Sequence, residues 1–257
     1  MTEEKILLAS GELTYFRAGS GSALLYLHPA GGVRRSAVLA GHGQSFALYV
    51  PVIPGFEGTE FHPGVQTRQA LAALIAEFAS RVIGGRCDVM GWSFGGAVAL
   101  ADALAHPDQT KGLVILDTDF IVDFVKTCLA AGRAKADCQK EYDDDIDAKS
   151  LETELVKTIH PLPGVPLRIV SALQFPECDP ANPDSLHVSI SGRDVTAKDC
   201  ATLARKIAAL QQQGWSAVNP KLKQTLVDAN HDGLIDQAGD QIKAIILDVV
   251  EAARTNR

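Results

Sequence analysis

The chain has 257 residues, 46% hydrophobic and 21% charged, and its 24 Lys and Arg against 31 Asp and Glu leave a formal net charge of −7. This is the composition of an ordinary globular protein, and one large domain spanning 1–257 is the expectation at this length. Nucleic acid and anionic membrane are argued against as partners because Lys and Arg form no runs, and no apolar stretch reaches the roughly 18 residues that cross a bilayer.

The opening MTEEKILLASGELTYF is acidic and breaks at Gly11 before the apolar core of a signal peptide could form. Short apolar runs at 5–10, 12–17 and 23–28 read as strands, and the third, ALLYLH, is apolar throughout, as suits a strand buried on both faces. Another strand is expected at 46–53, ending at Pro54-Gly55. A helix is expected over 67–83, from the spacing of Leu71, Leu74, Ile75, Phe78 and Val82. A strand at 87–90, an Ala-rich helix at 95–105 and a strand at 112–116 (GLVIL) follow. This alternation predicts a parallel α/β sheet with crossover helices. Residues 120–160, with the acidic EYDDDID, read as a helical insertion over the sheet, a cap lying within about 118–165. Strands are then expected at 167–172, at 186–191 and at 224–228, and helices at 202–213 and 240–253. The five cysteines (Cys87, Cys128, Cys138, Cys178, Cys200) form no C-x-x-C pair, which points to free thiols in a reducing, cytoplasmic compartment.

Gly91-Trp92-Ser93-Phe94-Gly95, followed by Gly96, matches G-x-S-x-G between the strand CDVM and the helix AVALADALA. That setting is the one a nucleophile elbow needs. The Ser sits on a tight strand-to-helix turn, flanking glycines remove clashing side chains, and the helix N-terminus stabilises developing negative charge. The bland alternative is a Gly-rich turn carrying an incidental Ser.

From about Leu24 to the final helix the sequence resembles the α/β-hydrolase fold family. His28-Pro29-Ala30-Gly31-Gly32 falls where that family places its oxyanion-hole loop. Pro54-Gly55-Phe56-Glu57-Gly58-Thr59 looks like its Pro-Gly-Phe-Gly-x-Ser turn, and His106-Pro107-Asp108 is a habitual family segment. The resemblance implies a mostly parallel sheet of about eight strands, helices on both faces and a small cap. It also implies an oxyanion hole made by the N–H of Phe94 and one near Ala30, since Pro29 has no N–H to give. The family order Ser…Asp…His puts the base at His231, the histidine just past the last expected strand.

The acid is open between two main positions. Asp117 ends GLVILD, where thioesterases of polyketide and peptide synthases carry theirs. Asp194 follows the expected strand 186–191, and Glu177, Asp179 and Asp184 are lesser candidates. GWSFGG, the Gly214-Trp215 pair and ANHDGLI are similar to the same thioesterase branch, and Asp117 is the preferred acid. Trp92 and His28 are candidates for substrate contact. A small-molecule carboxylic ester or thioester, cleaved through an acyl-enzyme with no metal or organic cofactor, is the implied chemistry. A ligand receptor or lyase on the same scaffold is the competing reading.

Asp228-x-Asn230-x-Asp232-Gly233-x-Ile235-Asp236 also fits the first nine positions of an EF-hand calcium loop. Position 12, however, is Gly239 where a bidentate carboxylate belongs, and the preceding KQTLV reads as a strand.

Overall fold

The structure is a computed structural model describing residues 1–65, 67–118, 161–162, 164–174 and 219–255, together with 202, 205, 208–209, 212, 214–216 and 218. Eight strands form one sheet: β1 Thr2–Leu8, β2 Gly11–Ala18, β3 Ala23–Leu27, β4 Ala47–Pro51, β5 Cys87–Trp92, β6 Thr110–Leu116, β7 Leu167–Gln174 and β8 Lys223–Asn230. Their spatial order is β1-β2-β4-β3-β5-β6-β7-β8. The β1–β2 and β2–β4 pairs are antiparallel and every later pair is parallel.

Strand character follows burial. The parallel strands β3, β4 and β5 are almost wholly buried, which is why their sequences are continuously apolar instead of alternating. Their side chains divide between two cores. On one face Leu25, Leu27 and Val89 pack with α2 (Arg68–Phe78) and α3 (Phe94–Ala105). On the other, Leu24, Tyr26, Met90 and Trp92 pack with Leu39 of α1 (Ala37–Gly41), Leu234 of α4 (Leu234–Gln237), and Ile242 and Ile246 of α5 (Gly239–Thr255).

The expected helix over 67–83 begins as foreseen, with Thr67 Oγ1 accepting the Ala70 N–H at 3.1 Å. It ends differently, because residues 79–83 widen into a π-helical turn closed by Gly84 at φ 86°. The short helices α1 and α4, the latter starting just after His231, carry too few residues to show a period and were not expected. The described residues between 202 and 218 are helical. The insertion 120–160, the expected strand 186–191 and the candidate acids Glu177, Asp179, Asp184 and Asp194 lie outside the described residues. So do Cys128, Cys138, Cys178 and Cys200.

Strand order places the site. From β3 the chain moves to β4 on one side, then crosses over to β5 on β3's other side, so the loops after β3 and β5 diverge at one edge of the sheet. Such a switch point leaves a crevice at the carboxyl ends of the strands. The loops after β6 and β8 open on the same edge. No helix among the described residues is long and apolar enough to cross a membrane.

Candidate active site

Ser93 stands between β5 and α3 with φ 51° and ψ −121°, a backbone conformation that L-residues rarely adopt. Three glycines make it possible. A Cβ on Gly91 would lie 2.7 Å from the Gly96 Cα, one on Gly95 would overlap the backbone carbonyls of Leu27 and His28, and one on Gly96 would overlap Thr118 Oγ1. The elbow is also pinned from β6. Ser93 N–H donates to the Leu116 carbonyl at 2.9 Å, and Thr118 Oγ1 donates to the Ser93 carbonyl at 2.9 Å. Nothing in the local pattern marks Thr118, because its partner is 25 residues away.

Asp117 follows β6, also at positive φ (42°). Its N–H donates to the Val170 carbonyl at 2.7 Å, and its Oδ1 accepts the Ala172 N–H at 2.8 Å. That leaves Oδ2 aimed across the strand ends, 2.7 Å from His231 Nδ1. A carboxylate only accepts, so Nδ1 carries the proton and Nε2 is the basic nitrogen of the ring. The His231 ring lies 6.1 Å, centroid to centroid, from Trp92, the residue before Ser93. Ser93, Asp117 and His231 follow β5, β6 and β8, at one edge of the sheet.

The loop after β3 makes a tight turn in which Gly32 N–H donates to the Pro29 carbonyl at 3.0 Å, with Ala30 and Gly31 exposed at its corner. Among the described residues neither the Ala30 N–H nor the Phe94 N–H has an acceptor. Glu57 braces the turn by taking the Val33 N–H on Oε1 at 2.8 Å.

His28 holds the turn from below, with its Nδ1 2.7 Å from the Pro29 carbonyl and its Nε2 accepting the Ile53 N–H at 3.0 Å. Only the neutral tautomer protonated at Nδ1 satisfies both bonds. Burial accordingly pushes the His28 pKa below the ordinary value, against a smaller opposing pull from the Pro29 carbonyl.

Two expected substrate contacts need correction. His28 is 0% exposed with both nitrogens engaged, and Trp92 is 2% exposed in the core on the α5 face. Neither presents a surface to a substrate; His28 staples two loops and Trp92 supports His231. Among the described residues, Phe56 and Phe94 are partly open aromatic side chains beside the elbow, with their rings 5.6 Å apart.

The calcium-loop pattern dissolves in the fold. Asp228 and Asn230 belong to β8, and their oxygens take Gln174 Nε2 at 3.0 Å and the Gly233 N–H at 2.6 Å, while Asp232 turns to Arg34. The segment that leads into the loop is the strand β8, not a helix. Among the described residues no three His, Cys, Asp or Glu side chains gather as a metal site. Cys87 is buried and its thiol is pushed up to about 12, chiefly by desolvation, which makes it a poor nucleophile.

A mostly parallel sheet carrying a strained serine elbow after β5 and a His–Asp pair at the ends of β8 and β6 is the architecture of a hydrolase of the α/β type. The chain belongs to the alpha/beta hydrolase family, whose model matches residues 18–253. Similar solved structures include a thermophilic esterase from Thermogutta terrifontis, with a TM-score of 0.57, 16% identity, and 98% of this chain and 99% of that one covered. The N-acyl homoserine lactonase AidH, solved with N-hexanoyl homoserine lactone, has a TM-score of 0.63 at 12% identity, covering 98% of each chain. The thioesterase domain from the curacin biosynthetic pathway has a TM-score of 0.60 at 13% identity, covering 96% of this chain and 99% of that one. At these identities the likeness is one of fold. No curated protein sequence matches the chain.

Proposed function

We propose that this hydrolase cleaves a small carboxylic ester or thioester through an acyl-enzyme on Ser93. The observation that carries the reading is the 2.7 Å hydrogen bond between Asp117 and His231 Nδ1, which leaves Nε2 as a base on the same strand-end edge as the strained Ser93. Ser93 Oγ attacks the carbonyl carbon while His231 Nε2 takes its proton. The tetrahedral oxyanion is held by the N–H groups of Phe94 and Ala30. Collapse expels the alcohol or thiol, which receives the proton from His231. Water, deprotonated by the same nitrogen, then attacks the acyl-Ser93 ester, releasing the acid and restoring the serine. The proton that leaves with the alcohol or thiol is replaced on Ser93 by one from water, and no cofactor enters the cycle. The half-buried rings of Phe56 and Phe94 beside the proposed donors favour an apolar acyl group.

The test is covalent labelling with a fluorophosphonate together with turnover of p-nitrophenyl esters and acyl-CoA thioesters of graded chain length. Labelling and turnover by the native chain, both lost in Ser93→Ala, are expected. A folded native protein that neither labels nor turns over any member of the panel would exclude the serine-hydrolase reading and leave a receptor or lyase on this fold.

A further inference from the structure

Arg34 lies three residues beyond Gly31 and occupies the left-handed region at φ 44°, a costly conformation for a side chain of its size. Its guanidinium reaches across the crevice. Nη1 donates to the Asp232 carbonyl, Nη2 donates to Asp232 Oδ1 at 2.8 Å, and the guanidinium carbon sits 5.3 Å above the centre of the Trp92 ring. It also underlies the turn after β3, because a Cβ on Gly31 would meet Nη2 at 3.0 Å and Nε at 3.1 Å. One planar cation therefore touches the turn that carries Ala30, the residue after His231, and the ring that supports His231 from beside Ser93.

A simple exposed ion pair would be worth little, since water screens it and both side chains lose freedom. Arg34 differs in geometry. Its two bonds to one residue are bidentate, its charge lies over an aromatic ring, and its backbone is held in a conformation that the surroundings must enforce.

We propose that Arg34 is a positioning residue, a bracket that keeps the oxyanion turn and the His231 loop in register as one unit. This rests on the reading of Ser93 and His231 as an ester-cleaving pair. The bracket matters because donor and base come from loops about 200 residues apart in the chain, and a misplacement of about 1 Å between reacting groups costs on the order of 100-fold in rate. Lys is a poor substitute, because an ammonium offers neither the fork nor the flat face.

The test pairs kinetics with amide hydrogen exchange on Arg34→Ala, Arg34→Lys and Asp232→Ala. With p-nitrophenyl acetate, Arg34→Ala is expected to lower kcat roughly 10- to 100-fold with KM within about threefold. Arg34→Lys falls nearly as far, and Asp232→Ala, which keeps the carbonyl acceptor, falls less. In Arg34→Ala, exchange is expected to quicken about tenfold or more in both 29–36 and 230–237, while α5 stays as protected as in the native chain. Quickening in only one segment, or in neither, overturns the bracket whatever the activity does, as does a kcat within twofold of native. If the native chain shows no esterase activity and Ser93 does not label, yet both segments quicken together, the bracket stands and the serine reading falls instead.

Discussion

The two oxygens of the Asp117 carboxylate are committed to different strands' ends, Oδ1 to the Ala172 N–H and Oδ2 to His231. An Asn there would still accept the Ala172 N–H, but its NH2 group would face His231 Nδ1 and favour the tautomer protonated at Nε2, which cannot take a proton from Ser93. Asp117→Asn is therefore expected to lower kcat on the order of 10³- to 10⁴-fold while KM and the melting temperature change little. Steady-state turnover of a p-nitrophenyl ester checks this, and a kcat within tenfold of native would transfer the acid's role elsewhere, with Asp194 the first position to mutate. At this scale legibility followed sequence distance. Ser93 was readable because its glycines lie within three residues and must be small for reasons local to the turn. The Asp117–His231 contact spans 114 residues, so no window of sequence could choose between Asp117 and Asp194. The reading of His28 and Trp92 as substrate contacts failed because burial is a property of neighbours, and theirs come from other elements.

Elements add their own chemistry. Near the C-terminus of α3, Asp102 is 3% exposed and its Oδ1 lies 2.9 Å from His106 Nδ1, one turn later on the same face. Desolvation raises the Asp102 pKa from 3.8 to about 6, more than the hydrogen bond to His106 lowers it. A carboxyl whose folded pKa lies above its unfolded value contributes stability that is whole below the unfolded value and is lost as pH rises through the folded one. The native chain thus gives up stability between about pH 4 and pH 7 at this residue. Asp102→Asn, which cannot ionise, does not. The difference in unfolding free energy is expected to move toward the Asn variant by on the order of 1–3 kcal/mol across that window. Urea unfolding of both proteins at pH 4.5 and pH 7 reads it, and a difference that stays constant, or moves the other way, would show that Asp102 keeps its ordinary pKa. The helices themselves were legible to different depths. α2 showed apolar spacing over three turns and α3 was legible from its alanines, whereas the π-turn after α2 breaks no composition rule and left no trace in the pattern.

Across the whole molecule the site depends on a sheet packed on both faces. α5 closes one face with Ile242, Ile246, Val249 and Val250 and sits so close to β6 that a Cβ on Gly112 would overlap Val249 Cγ1. Ile246 is 1% exposed. Ile246→Ala removes packed volume on a helix that carries none of the candidate site residues and is expected to cost about 2–5 kcal/mol of stability. Turnover per folded molecule should stay near native, because the loops at the strand ends are untouched. Denaturant midpoints and kcat at low temperature measure the two effects, and a loss below 1 kcal/mol would mean that α5 does not seal this core.

The sequence by itself determined the strand–helix rhythm, the serine elbow and the class of fold, because each is dictated by side chains within a few residues of one another, through apolar period and the space a turn allows. Tertiary structure alone decided which loops meet. The strand order sets the turn after β3 beside the elbow, brings Asp117 to His231 and lays Arg34 across both. Those contacts depend on how the chain crosses over between strands, and crossover is settled by packing the whole sheet rather than by any local run of residues.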